Sequence, residues 1–136
     1  MKIVPYLFFE GSCEEAMNAY AKVLGGRIDG LMRFKDMPAD QQRPGMDQKV
    51  VHAHLVAEGC ELMASDAPSE YFQKPQGVAV SVHVDQPAEA DRIFSALAEG
   101  GQVSMPIGKT FWAERFGMLT DRFGIPWMID CPPAKG

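Results

Sequence analysis

The sequence predicts an α+β fold of two βαβββ modules, whose curved mixed sheets surround a shared cleft. The order strand, helix, three strands occurs twice along the 136 residues. Both predicted helices end at a glycine pair, Gly25–Gly26 and Gly100–Gly101, and a turn near the C-terminal end joins two apolar, β-prone segments. A repeat constrains an architecture more than any single motif does. We therefore predict a single domain over residues 1–136, with repeated modules at 1–67 and 78–131.

The first module begins with an apolar strand and continues into an amphipathic helix. Ile3 to Phe9 is rich in aromatic and branched residues, which favour strands. Ser12 and Glu15 have the spacing of a capping box, so a helix is predicted to begin there and to end at the glycine pair. The remaining predicted elements are strands at Arg27–Phe34, Val50–Ala57 and Glu61–Ser65, and loops at Lys35–Gln48 and Asp66–Gly77.

The second module repeats this order. Val78 to Val84 alternates valine with small or polar residues, which is typical of a half-buried strand. Pro87 has the position of a first helical residue, and three strands are predicted after that helix, at Gln102–Met105, Gly117–Thr120 and Ile125–Asp130. Asp121 to Gly124 predicts a hairpin turn, because Asp bonds its own backbone and Gly accepts a positive φ.

Composition excludes several classes of partner. The net charge of −5, the pI near 5.1 and the lack of any Lys or Arg run argue against nucleic acid and anionic membranes. No apolar run approaches the roughly 20 residues that span a bilayer, and no secretory signal is recognisable. Cys13, Cys60 and Cys131 form neither a disulfide framework nor a metal knuckle. We expect a cytoplasmic protein whose cysteines pack as small apolar residues.

Several motifs resemble one known family. They are Thr110-Phe111-Trp112-Ala113, Phe116-Gly117, and Thr120-Asp121-x-Phe123-Gly124-x-Pro126-Trp127-Met128-Ile129, with shorter matches at Pro5–Tyr6, Val51–Ala53 and Met63–Asp66. The chain resembles, over nearly its whole length, the PhnB-like branch of the vicinal-oxygen-chelate superfamily, which has the glyoxalase/bleomycin-resistance fold. This resemblance implies two βαβββ modules, a small-molecule ligand and a homodimer.

The branch is often labelled demethylubiquinone methyltransferase-like, and this label fits the residues poorly. A methyl donor such as S-adenosylmethionine usually binds a glycine-rich loop in a doubly wound sheet. No Gly-x-Gly-x-x-Gly follows a strand in this sequence. We therefore do not predict methyl transfer.

The resemblance also implies positions for a divalent metal, which the superfamily's enzymes hold on His and Glu side chains. Aligning the strands places Pro5, Ala79 and Met128 at three of these positions and Ala53 near a fourth. None of these side chains is a ligand for a hard or borderline divalent ion, and only Met offers a soft thioether. We therefore predict no cofactor.

The alternative is a displaced metal site. His52 and His54 share a strand face, and strand parity places His83 on the same face as Ala79. One of the first pair with His83 would need a third ligand and an open position. Such a site would make the chain a metal-dependent lyase, isomerase or dioxygenase, so whether it is an enzyme stays open.

Our favoured interpretation is a metal-free protein that binds a small apolar or aromatic molecule in an aromatic-lined cleft. The predicted ligand-binding residues are Tyr6, Phe9, His52, His54, Ser81, His83, Phe111, Trp112, Arg115 and Met128. No catalytic residue is predicted, and a serine hydrolase is not expected because no serine lies in a Gly-x-Ser-x-Gly elbow. A partner-binding module with a filled cleft is a third alternative.

Overall fold

The computed structural model describes residues 1–134, which fold into two compact units with a boundary between Gln73 and Lys74. We call these units the first and the second module. Each contains one helix and one mixed four-stranded sheet, so the predicted α+β class and the βαβββ order are confirmed. Within the described residues, no helix has both the length and the apolar character that crossing a bilayer requires.

The first module runs β1 (Tyr6–Phe9), α1 (Cys13–Leu24), β2 (Arg27–Arg33), β3 (Val50–Ala57) and β4 (Cys60–Asp66). Its strand order is β1-β4-β3-β2, with β1 parallel to β4 and the other pairs antiparallel. Helix α1 packs on β2, β3 and β4 through one apolar stripe. The opposite side of this sheet, the helix-free face, carries no helix of its own module.

The second module runs β5 (Val80–His83), α2 (Pro87–Ala98), β6 (Gln102–Gly108), β7 (Arg115–Thr120) and β8 (Pro126–Cys131). Its order, β5-β8-β7-β6, repeats that of the first module, again with one parallel pair. Helix α2 covers one face, and Gly117 lies so close beneath it that an added Cβ would stand 2.6 Å from the Phe94 ring. The other side is the helix-free face of the second module.

Three local predictions in the first module are wrong. The first strand begins at Tyr6, and Ile3 is exposed rather than part of a buried strand. The predicted loop that begins at Lys35 contains two short 3-10 turns, Phe34–Asp36 and Ala39–Gln41. The third correction concerns the start of α1.

Helix α1 does not begin with a capping box, because the Ser12 side chain makes no capping hydrogen bond. The carboxylate of Asp66, at the end of β4, takes that role. Its Oδ1 accepts hydrogen bonds from the backbone N–H groups of Gly11 and Cys13, at 2.9 and 3.0 Å. Its Oδ2 accepts one from Val50 N at 2.9 Å. A carboxylate from a distant strand thus fixes the helix start to β3 and β4.

The thiol of Cys13 points into this core. Burial, with the nearby Asp66 and Glu14 carboxylates, raises its pKa to about 12. The thiol is therefore neutral at physiological pH and packs as a small apolar side chain. Cys13, Cys60 and Cys131 are all unpaired.

The predicted hairpin turn in the second module is confirmed. Asp121 is buried, and its Oδ1 accepts hydrogen bonds from Phe123 N and Ile125 N at 2.8 and 3.0 Å. Its Oδ2 accepts one from the Trp127 indole N–H at 2.7 Å, and Gly124 has φ +93°. This carboxylate ties the turn to the core of its own module.

Candidate functional site

Strand β1 divides its side chains between two environments. Leu7 and Phe9 are buried towards α1, whereas Tyr6 and Phe8 alternate with them on the helix-free face. The prediction that Phe9 belongs with Tyr6 in a ligand site does not agree with this geometry. Phe9 is only 1% exposed and, three positions from Tyr6, projects to the opposite side of the sheet. Phe8, which was not predicted, is the ring that lies beside Tyr6.

A cavity of about 460 Å³ opens next to Phe8 in the first module. Its residues come from β1, the 3-10 turn after β2, β3, the end of β4 and the segment after it, and most are apolar. They are Phe8, Phe34, Val51, Ser65, Asp66, Ala67, Pro68, Tyr71 and Gln73. Because the Asp66 carboxylate is already bonded to three backbone N–H groups, Ser65, Gln73 and the Tyr71 hydroxyl supply the other polar side-chain groups of the lining.

The outer wall of this cavity is held in place by a cation–π contact. The guanidinium of Arg43 lies 5.4 Å from the centroid of the Tyr71 ring, and Arg43 also pairs with Glu70 at 3.5 Å. Tyr71 is largely exposed. Its ring therefore presents apolar surface that a bound ligand can cover.

Tyr6 and His52 form a polar and aromatic pair beside the cavity. The Tyr6 hydroxyl oxygen lies 3.2 Å from His52 Nδ1, and the centroids of the two rings are 5.8 Å apart. The Tyr6 and Phe8 ring centroids are separated by 5.0 Å. The three rings form a continuous aromatic row on the helix-free face of the first module.

His54 lies in a separate network of charges. Its Nε2 is 2.8 Å from Glu61 and its Nδ1 is 3.5 Å from Asp29. Lys2 also pairs with Glu61, and the hydrogen bonds from Lys2 and, secondarily, from His54 lower the pKa of that carboxyl. Both ring nitrogens of His54 therefore already face carboxylates.

In the second module a serine, a histidine and an aspartate form a chain on the helix-free face. Ser81 Oγ lies 2.9 Å from His83 Nε2, and His83 Nδ1 lies 3.2 Å from Asp130 Oδ2. Ser81 and His83 are two residues apart on β5, so they share a face. The parallel register pairs His83 with Asp130 and Ser81 with Met128. Ser81 and His83 are exposed, while Asp130 and Met128 are half-buried.

An aromatic group lies next to this chain. Trp112 packs edge-on against Phe116 with centroids 5.3 Å apart, and Phe111 packs against Trp112 at 4.9 Å. The Thr110 hydroxyl accepts hydrogen bonds from Trp112 N and Ala113 N at 3.3 and 3.0 Å, which shapes the turn that presents these rings. Phe116 is the cross-strand partner of Asp130, so the rings and the polar chain adjoin.

Arg115 does not join this group, contrary to the sequence interpretation. It follows Glu114 at the start of β7 and extends towards the helix-covered side, where its Nε donates to Asp91 of α2 at 3.2 Å. It also pairs with Glu114 at 3.6 Å. Because neighbouring strand positions alternate in direction, Arg115 is opposite to Phe116. It joins the sheet to its helix and offers no polar group to a ligand beside Ser81.

The three histidines do not form a metal site with their neighbours. Among residues 1–134, no group of three or more His, Cys, Asp or Glu side chains is placed to hold a metal ion. The Nδ1 atom of His52 faces a tyrosine hydroxyl, and both ring nitrogens of His54 and of His83 already have partners. The donors present therefore do not fit the divalent-metal site that the sequence resemblance implies.

Two features of the candidate surfaces escaped sequence reasoning. The cavity depends on Tyr71 and Gln73, which lie in an aperiodic segment without any motif. Asp130 was assigned only to a strand, although its partner His83 was predicted as a ligand-binding residue. Its contact depends on the parallel register of β5 and β8. Strand parity alone signals Phe8, since it is two residues after Tyr6.

The two repeated βαβββ modules have the glyoxalase/bleomycin-resistance fold. A glyoxylase/bleomycin resistance protein/dioxygenase domain from Frankia has the same fold, with a TM-score of 0.66, 15% identity, and coverage of 98% of both chains. The model of a family described as 3-demethylubiquinone-9 3-methyltransferase matches residues 1–130. The chain belongs to this family, which is PhnB-like.

Several relatives match the chain almost end to end. Protein PA1353 from Pseudomonas aeruginosa is 47% identical, covers 97% of this chain and 98% of its own, and superposes with a TM-score of 0.90. The PhnB protein from Bacillus cereus is 31% identical over 96% of this chain and 99% of its own, with a TM-score of 0.81. Protein YjdN of Escherichia coli K12 is 34% identical, covering 96% of this chain and 95% of its own.

Proposed function

We propose that this chain is a metal-free small-molecule-binding protein, which holds a planar aromatic or amphipathic ligand in the cavity of the first module. The cavity itself carries this proposal. Its volume of about 460 Å³ is within the usual range of ligand pockets. A mostly apolar wall with a few polar groups, on Ser65, Tyr71 and Gln73, is the composition that selects such a ligand.

Burying a ring in this cavity would remove apolar surface on both sides from water. Phe8 is 53% exposed and Tyr71 is 65% exposed, so a bound ring would cover surface that the free protein leaves wet. Each square ångström of apolar surface buried contributes roughly 25 cal/mol. Tyr6 and His52, which continue the aromatic row, would contact the part of a ligand that extends beyond the cavity.

Anilinonaphthalene sulfonate, an amphipathic aromatic probe, tests this proposal by fluorescence titration of the full chain. We expect saturable binding at one site, with Phe8→Ala and Tyr71→Ala each weakening it about tenfold, which is the loss of one aromatic contact of roughly 1.4 kcal/mol. Ile3→Ala removes an exposed apolar side chain of the same module outside the cavity lining and serves as the control. If the cavity variants bind the probe as the wild type does, the ligand site is not in this cavity.

The alternative function is a metal-dependent lyase, isomerase or dioxygenase, and elemental analysis separates it from binding alone. The protein must be purified without a metal-chelating tag. A stoichiometric transition metal that disappears in His83→Ala would support the alternative. We expect no stoichiometric metal, because the three histidines are already engaged by neighbouring side chains.

The homodimer and the cytoplasmic location remain predictions. Exposed apolar side chains such as Phe8 and Met32 support self-association, and three unpaired thiols suit a reducing compartment. Light scattering coupled to gel filtration tests the dimer, and an elution at the mass of a single 15.0 kDa chain would contradict it.

A further inference from the structure

We propose that Ser81, His83 and Asp130 form a nucleophilic serine site, which cleaves small activated esters whose leaving group is a phenol. The proposal goes beyond ligand binding in the first module and concerns only the second. It rests on two consecutive side-chain contacts: Ser81 Oγ to His83 Nε2 at 2.9 Å, and His83 Nδ1 to Asp130 Oδ2 at 3.2 Å. Nucleophile, base and orienting carboxylate are therefore in the order that acyl transfer requires.

The backbone fixes this order. The i, i+2 spacing on β5 places the hydroxyl and the imidazole on one face, and the parallel pairing of β5 with β8 places Asp130 beside His83. When Nδ1–H donates to the Asp130 carboxylate, Nε2 has the free electron pair that accepts the Ser81 proton. The Asp130 side chain is 17% exposed and His83 is 66% exposed. The orienting group is thus sheltered, while the reacting groups are open to substrate.

The reaction balances with water as the only co-reactant. Ser81 Oγ attacks the ester carbonyl carbon as its proton moves to His83 Nε2, and the bond from that carbon to the phenol oxygen breaks. The phenolate leaves and the proton returns to it directly or through solvent. Water then attacks the acyl-serine, with His83 again accepting a proton, and releases a carboxylic acid and Ser81.

The neighbouring rings indicate the class of substrate. Phe116 pairs with Asp130 across β7 and β8, and Trp112 lies against Phe116 with 45% of its surface exposed. An aryl group can stack on the open Trp112 ring while its ester reaches the polar chain. A phenolate is also a stable leaving group, so one base is sufficient at this open surface.

The experiment uses the full chain with para-nitrophenyl acetate as substrate and a fluorophosphonate probe that modifies activated serines. We expect the probe to label Ser81, as located by peptide mass spectrometry. Ser81→Ala and His83→Gln should each lower kcat/KM roughly a hundredfold, and Asp130→Asn at least about tenfold, since it disturbs the imidazole tautomer. Ser104→Ala, at an exposed position on β6, is the matched control and should keep the wild-type rate.

Two outcomes would overturn the proposal. One is that the fluorophosphonate probe leaves Ser81 of the native protein unmodified. The other is Ser81→Ala retaining the rate while His83→Gln loses it, since the imidazole alone would then be hydrolysing the ester. Circular dichroism of every variant excludes unfolding as the cause of a lost rate. Because Phe8→Ala and Tyr71→Ala lie in the other module, their effect on the binding of anilinonaphthalene sulfonate is independent of this result.

Discussion

The two modules place different chemistry at equivalent positions of the same sheet. In the first, β1 pairs Tyr6 with Met63 and Phe8 with Ser65. In the second, β5 pairs Ser81 with Met128 and His83 with Asp130. The list of equivalents is therefore Tyr6 with Ser81, Phe8 with His83, Met63 with Met128 and Ser65 with Asp130. One repeated backbone thus presents an aromatic row in one module and a proton-transfer chain in the other, which shows that the fold alone does not determine the site.

The modules also differ in how a buried carboxylate holds the core, and substituting it should give the largest effect. Asp66→Ala leaves three backbone N–H groups without their acceptor at a position that is 3% exposed. We expect the free energy of unfolding to fall by about 3 kcal/mol or more. Urea denaturation measures it.

Asp40→Ala, at an exposed position in a 3-10 turn, is the control and should change stability by no more than about 0.5 kcal/mol. Asp121→Ala removes the buried carboxylate of the second module, so its loss of stability can be compared with that of Asp66→Ala. The Asp121 carboxylate holds a turn and an indole instead of a helix start. A loss below about 1 kcal/mol for Asp66→Ala would mean that other contacts hold α1.

The two modules also differ in how closely the helix packs on its sheet. The second module has Gly117 paired with Ile129 where the first has Ala53 paired with Ala64. An added Cβ in Gly117→Ala would stand 2.6 Å from the Phe94 ring and 3.0 Å from Ile107 Cα. We expect a destabilisation of about 1–3 kcal/mol through overpacking. Thermal and urea unfolding measure it.

Gly108→Ala provides the control on the neighbouring strand, since nothing lies within 4 Å of its added Cβ. Its effect should be much smaller than that of Gly117→Ala. Equal stabilities of the two variants would show that α2 shifts freely on its sheet, and the contrast between the modules would then lose its physical basis.

The smallest expected effect concerns the arginines that join each helix to its sheet. Arg33 donates to both carboxylate oxygens of Glu14, at 3.0 and 2.7 Å, whereas Arg115 makes one such bond to Asp91. The hydrogen bond from Arg33 lowers the pKa of Glu14 below its usual 4.5. This pair therefore stabilises the fold above that pH, and its contribution is lost as the pH falls through the lowered pKa.

Arg33→Met should thus reduce stability modestly at neutral pH, and the difference from wild type should shrink as the pH falls below 4.5. Urea titrations at several pH values measure the difference. Lys35→Met, an exposed position nearby, should give a flat profile. A difference that grows on acidification would contradict the assignment.

Strand parity and the repeated glycine pairs that end the helices were sufficient to predict most of the fold. Strand parity places Trp127 and Ile129 on the face opposite to Met128, and both side chains are buried. Parity also separates Phe9 from Tyr6, which the predicted ligand site had placed together. The capping box failed because Asp66, far away in the chain, bonds the helix start in place of Ser12.

The candidate surfaces were harder to predict because they depend on contacts between distant segments. The direction of Arg115 follows from Asp91, which only the packing of α2 on β7 brings near. Asp130 meets His83 through strand register, and the cavity wall needs Tyr71, which Arg43 holds from another loop. No periodicity in the sequence encodes these three contacts.

The distribution of tyrosines and tryptophans makes the two modules distinguishable by fluorescence. All three tyrosines, Tyr6, Tyr20 and Tyr71, precede Gln73, and both tryptophans follow it. Trp127 is buried with its indole N–H on a carboxylate, while Trp112 meets solvent. Excitation at the long-wavelength edge of the absorption band, which selects tryptophan, therefore reports unfolding of the second module alone. Iodide should quench the exposed Trp112 before the buried Trp127.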